Sequence, residues 1–334
     1  NVWIANDAGL TKVVKVGQDS VYFKTYLADI QNPKGLPNNY VKACAEAPNG
    51  MLWVASDGGV SMFNPESEVF TNYQHEPNNL NSLSNNYVKT LGVDPKGNVW
   101  VGSDGGVSML VPKTGVFYNY KADTEDPNSL SNNYIKAIYI DQNGAVWIGT
   151  DDGINLYDSN KEQFELYKFK VGSDLSQITS NNILSLYEDS RQNLWLGTDK
   201  GINIYNFSTQ KFVHIQSLPN VANSLTNNTI KDIHEDKEGV FWIGTDYGLN
   251  KLSFSGNNYE NPKVESFNYE QQGANSLSNN SIVALHEDKK GRIWVGTWGG
   301  GVNVFDKASK QFTRYQNADD IGLKSDQIHC IYET

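Results

Sequence analysis

Six residues have side chains suited to holding a small ligand, and they fall at one recurring place in the chain: Asp151, Asp199, Lys200, Asp246, Tyr247 and Trp298. Each follows a tryptophan-centred string, as in WIGTDDG, WLGTDKG, WIGTDYG and WVGTWGG. An indole on an exposed turn is a stacking platform for a sugar ring or another flat ligand. Lys200 is the basic residue of the set and could meet an anionic group, although a solvated lysine is the simpler reading. Asp57 and Asp104 occupy the same place in earlier strings, so aspartate is the rule and Trp298 the exception. A tryptophan on a turn costs solubility and calls for a reason. Ligand contact is one reason, and packing on a neighbouring loop is the other. Tyr247, in the preceding string, would add a second aromatic on that side.

Catalytic signatures are missing. The sequence holds no H-E-x-x-H, G-x-S-x-G or C-x-x-C string and no phosphate loop. The run Gly299-Gly300-Gly301 continues a hairpin turn. D-x-x-G-x-x-W runs, such as Asp94-Gly97-Trp100 and Asp288-Gly291-Trp294, read as a turn device in which the carboxylate caps backbone N–H groups. They are too short for an EF-hand and lack its twelfth-position glutamate. His234 and His286 share one repeat position with Tyr139, Tyr187 and Tyr332, which marks a packed ring rather than a ligand. Cys44 and Cys330 fall on successive, oppositely facing strand positions, so no bridge is expected between them. No catalytic residue, metal site or cofactor is expected.

The elements that position these residues follow from a repeat. Seven strings carry Trp3, Trp53, Trp100, Trp147, Trp195, Trp242 and Trp294, at steps of 50, 47, 47, 48, 47 and 52 residues. Each period contains four strand-like runs separated by Gly-, Asn-, Asp- and Pro-containing turns, which is one antiparallel propeller blade. The fold class expected is all-β, a single seven-bladed β-propeller of four antiparallel strands per blade over residues 1–334. Blade 1 would take 1–35 plus 323–334, and blades 2 to 7 would take 36–82, 83–129, 130–177, 178–224, 225–276 and 277–322. The last run matches the first strand of a blade. Ile282 lies twelve residues before Trp294, and joining Ile328 to Trp3 across the termini gives nine, one turn short. The terminal strand is therefore expected to complete the N-terminal blade, or else to open an eighth. The seven tryptophans are read as structural, each burying up to about 4–6 kcal/mol of apolar surface.

A net charge of −11 without a Lys/Arg cluster argues against nucleic acid. No apolar run reaches the ~18 residues of a membrane span. The abrupt strand-like start NVWIAN reads as a processed or excised piece. An insertion at about 255–262 falls on the opposite side from Trp298, as a docking loop or a tolerated extension.

The strings LSNNYIKAIYIDQNGAVWIGTDDGINLYD and LSNNSIVALHEDKKGRIWVGTWGGGVNVFD resemble the regulator-propeller repeat of bacterial two-component sensors, over the whole chain. That resemblance implies the periplasmic or extracellular part of a membrane-anchored sensor. It further implies a small-molecule or oligosaccharide ligand and adjacent β-sandwich, membrane and output domains, with a homodimer as one arrangement. The propeller itself would not be an enzyme. A docking scaffold and a polysaccharide- or streptogramin-lyase-like enzyme are the alternatives.

Overall fold

A computed structural model describes every residue except 17–19, 30, 160, 169–176, 222, 257–258, 271–272, 274 and 318–321, together with the side chains of 15, 16 and 20. The described residues form seven four-stranded antiparallel sheets and no helix, a seven-bladed β-propeller. Blade 3 gives the pattern, with strands Val88–Val93, Val99–Ser103, Gly106–Val111 and Val116–Tyr120 hydrogen-bonded in that order. The second strand of every blade is buried throughout, which is why its residues read as unbroken apolar strings. Fourth strands such as Val69–Tyr73 bury one face only and alternate apolar with polar.

The chain divides into two compact units, Asn1–Tyr167 with Thr334, and Lys168–Glu333. In the first, Trp53 packs with Val60, Leu83, Val101 and Phe117, and Trp100 with Leu130, Ile148 and Phe164. In the second, Trp195 packs with Ile204, Ile230 and Phe241, and Trp242 with Leu277, Val295 and Phe305. Glycine in the second strand lets neighbouring blades close on each other. A methyl on Gly102 would lie 2.5 Å from Ile135 Cγ2, and one on Gly244 would lie 2.8 Å from Ile282 Cγ2.

The aspartate turn works as the sequence indicates. Asp94, Asp141, Asp189, Asp236 and Asp288 each accept backbone N–H groups two and four residues on. Their second carboxylate oxygens accept the buried tryptophan indole N–H at 2.8–3.2 Å. A further contact appears where the first strand ends in glutamate. Glu235 accepts the Ser190 N–H and hydroxyl at 2.6 and 2.8 Å, Glu287 the Lys237 N–H at 2.9 Å, and Glu333 the Lys289 N–H at 2.8 Å. Each glutamate thus holds the aspartate turn of the preceding blade. Val93 and Ile140 occupy this position in blades 3 and 4 and have no carboxylate to offer.

The strand Ile328–Glu333 heads the first sheet, followed by Val2–Asn6, Gly9–Val16 and Ser20–Tyr26. Thr334 donates its N–H to the Asn1 carbonyl at 2.9 Å, the bond that Asp288 makes to Arg292 in blade 7. Thr334 therefore stands where blades 3 to 7 have the aspartate, and the buried Trp3 Nε1 has no acceptor. Thr334→Asp is expected to supply one. A single buried hydrogen bond stabilises by about 1 kcal/mol, so the thermal midpoint should rise by about 1–2 °C for a chain of this size. An unchanged or lower midpoint by calorimetry would count against this account of Trp3.

Candidate functional site

The first strand of blades 2 to 7 carries a β-bulge between its first and third residues. The bulged second residue is left unopposed and its side chain is re-aimed, as bulges near functional sites commonly do. Those residues are Lys42, Lys89, Lys136, Leu184, Lys231 and Val283. Each bulge faces the turn between the second and third strands of its own blade, where the six candidate residues lie.

In the first unit this end of the blades is ionic. Lys42 pairs with Asp57, Lys89 with Asp104, and Lys136 with Asp151. The lysines also meet tyrosine rings, Lys42 Nζ 5.7 Å from Tyr40 and Lys89 Nζ 5.5 Å from Tyr134. Tyr87 and Tyr134 are exposed beside them. Partial burial and the carboxylate of Asp7 raise the pKa of Tyr40. Asp151 is thus engaged by Lys136 in its own blade.

Among the described residues the second unit keeps one such pair, Lys231 with Asp246 at 3.4 Å. Tyr247, next to it, is 59% exposed and makes no ring contact among the described residues. Leu184 stands at the bulge of blade 5, so Asp199 has no lysine opposite it, and both Asp199 and Lys200 are exposed. In blade 7 both halves of the ion pair are replaced, the lysine by Val283 and the aspartate by Trp298.

Trp298 is 45% exposed, and its ring meets His329 edge to face at 5.4 Å. Its backbone is fixed. The Trp298 N–H donates to the Ser281 carbonyl at 2.9 Å, and the Asp326 carbonyl accepts from Gly299 and Gly301 at 3.0 and 2.9 Å. Gly299 and Gly301 take φ of 93° and 72°, which glycine permits at little cost. The result is a half-exposed indole packed in a T-shaped contact with an imidazole. Sequence reasoning singled out Trp298 but missed the bulge lysines and His329. Both were visible as residue types at one repeat position, yet the bulge that aims them leaves no mark in the sequence.

A second titratable cluster lies among the first strands of blades 6 and 7. Asp232 is half-buried and accepts the N–H groups of Leu285 and Ile233 at 2.7 and 2.9 Å. Burial pushes its carboxyl up to about 7. His234 Nε2 accepts the Glu287 N–H at 3.1 Å, and burial, with His286 beside it, holds its pKa down at about 4. Lys307 bonds to Asp236 and Glu287 at 2.8 Å each and also to Glu238. Burial alone would lower its pKa, but the three carboxylates outweigh burial and raise it. These groups hold blades together and face no open cavity among the described pockets.

The 255–262 insertion, of which Asn257 and Asn258 lie outside the described residues, folds onto blade 5. Tyr259 is buried, its hydroxyl donates to Asp189 at 2.6 Å, and its ring meets Trp195 at 5.3 Å. Arg191 lies over the Tyr259 ring at 5.7 Å and donates to the Gly256 carbonyl at 3.2 Å.

Seven tryptophan-wedged blades with a variable turn face define a β-propeller repeat protein. Residues 35–58, 82–105, 129–152, 177–200, 224–247 and 276–299 each match the two component regulator propeller. The chain belongs to the two component regulator propeller repeat family. Among curated proteins none matches it. Three solved structures are similar to this chain, the first two in fold. PorZ, a surface component of the type-IX secretion system of Porphyromonas gingivalis, has a TM-score of 0.65 at 16% identity, covering 96% of this chain and 46% of its own. Virginiamycin B lyase from Staphylococcus aureus has a TM-score of 0.58 at 15% identity, covering 82% of this chain and 83% of its own. The extracellular domain of a B. thetaiotaomicron protein described as a one component system has a TM-score of 0.49 at 24% identity, covering 94% of this chain. This chain spans 40% of that relative's length.

Proposed function

We propose that this propeller is the extracytoplasmic ligand-sensing module of a bacterial transmembrane signalling receptor, taking a glycan fragment or a similar small molecule against Trp298. Family membership supports the class. The observation that carries the site is the replacement of an ion pair by a half-exposed indole on a fixed backbone. Such a ring can stack on a sugar face, and Tyr247, Asp246, Asp199 and Lys200 lie on the same turns of neighbouring blades. In this reading the propeller carries out no reaction. Output belongs to adjacent domains of the parent receptor, whose packing changes when ligand binds.

A thermal-shift screen of oligosaccharides tests the site. Ligand at a hundredfold excess over Kd stabilises the folded state by about 2.7 kcal/mol. Trp298→Ala is expected to abolish the shift while leaving the ligand-free midpoint within about 1 °C, because the ring is half solvated. No shift with any glycan, or a shift that survives Trp298→Ala, would remove this site from consideration. A docking or dimerisation surface is the second reading, favoured by the exposed Tyr87 and Tyr134. Concentration-dependent sedimentation without a ligand response would support that reading instead.

A further inference from the structure

A different break in the repeat lies in the first unit, between blades 2 and 3. There a cavity of about 480 Å³ opens beside the aspartate-turn position of blade 2, a size typical of small-molecule sites. Its deepest residue is Trp53, 1% exposed. Met62 lies next to it, and Pro48 and Pro95 wall the opening. In blades 3 to 7 a carboxylate takes the tryptophan indole N–H. In blade 2 that position is Ala47, which itself lines the cavity. Among the described residues the Trp53 N–H has no hydrogen-bond acceptor, and its side chain lines the cavity beside Ala47. The turn is still formed without it, through the Gly50 N–H on the Ala47 carbonyl at 2.9 Å and the Met51 N–H on Asn49 Oδ1 at 3.2 Å.

The second unit shows what fills the equivalent slot. Between blades 5 and 6, Tyr259 from the turn joining the third and fourth strands of blade 6 inserts its ring against Trp195 and donates to Asp189. The corresponding turn of blade 3 is short and contributes only Pro112 and Lys113 to its cavity. One slot therefore offers an acceptor, and the chain plugs it with an aromatic donor. The other offers an indole donor without a carboxylate, and Lys96 and Lys113, both exposed, line the same cavity and are in no ion pair among the described residues.

We propose that the slot between blades 2 and 3 binds a small aromatic carboxylate, its ring against Trp53 and Met62 and its carboxylate accepting from the Trp53 N–H and from Lys96 or Lys113. The site is separate from the Trp298 face and does not depend on the reading given for it.

The test is a titration of the full chain with 3-phenylpropionate, followed at the tryptophan indole N–H resonances. 3-Phenylpropionamide serves as the neutral counterpart. The Trp53 resonance is expected to shift saturably, and the amide to bind at least about tenfold more weakly, since a charge-assisted hydrogen bond is about twice as strong as a neutral one. Ala47→Asp places the repeat's own carboxylate under Trp53 and should abolish binding. Lys96→Gln with Lys113→Gln, at exposed positions, should weaken binding about tenfold without altering the fold. No saturable shift at millimolar acid, a shift confined to other indoles, equal binding of acid and amide, or unchanged binding by both variants would overturn the proposal.

Discussion

Asp232→Asn is expected to give a protein whose stability climbs more steeply between about pH 4 and 6.5 than that of the unsubstituted chain. Asp232 and His234, whose titrating groups are both desolvated, oppose each other in that window. The Asp232 carboxyl titrates near 7 in the folded state, against about 3.9 unfolded. The folded state then binds the extra proton between about pH 4 and 7, and stability falls as pH rises. His234 titrates near 4 when folded, against about 6.5 unfolded. Here the unfolded state binds the extra proton, and stability rises with pH. Asparagine keeps the acceptor for Leu285 N–H but cannot ionise. The variant should match the parent near pH 4 and exceed it by about 3–4 kcal/mol at pH 7, from about three pKa units at 1.36 kcal/mol each. Urea unfolding across this range reads the difference directly. Parallel profiles would show that Asp232 is ionised at little cost.

Lys307→Ala should be the most damaging single change away from the tryptophans. It strips the cation from Asp236 and Glu287, both of which have buried carboxylates. Removing one partner of a buried ion pair costs about 3–5 kcal/mol, and the partial exposure of Lys307 puts this case at the lower end. The deficit depends on pH in a defined sense. Burial works to raise the Asp236 pKa, but bonds from Lys307 and the Trp242 indole hold it below the usual range. Its contribution is therefore present above about pH 4 and lost as pH falls through its depressed folded value. The raised Lys307 pKa places its own contribution below about pH 10, with loss only in stronger alkali. Parent and variant should converge in acid. A difference that persists undiminished at pH 3 would mean the cost is packing rather than charge.

The blades were legible because a repeat reads itself seven times. Strand, turn and tryptophan recur together, and a position that departs from its counterparts, such as Trp298, stands out without any structure. The aspartate turn was legible for the same reason, since D-x-x-G-x-x-W fixes both the cap and its indole donor within one local segment. Contacts between segments were not. Lys89 reaches Asp104 only because a bulge turns it there, and Tyr259 reaches Asp189 across 70 residues of sequence. The insertion was legible as extra length on the far side, but its inward tyrosine was not. Ala47 in place of aspartate was visible in the sequence as well, and its meaning depends on the empty volume beside it.

The glutamates that hold neighbouring turns bear on how each half comes apart. In the second unit, opening the aspartate turn of blade 5 or 6 strips a buried or half-buried carboxylate of its donors in the next blade. Local fluctuations there are tied to those of the next blade, and amide protons along Ile183–Glu188, Ile230–Glu235 and Ile282–Glu287 should exchange as one cooperative group. Val93 and Ile140 transmit no such penalty. The turns of blades 2 and 3 are therefore tied to the next blade through the packing around Trp53 and Trp100 alone, and should open at lower cost than those of blades 5 and 6.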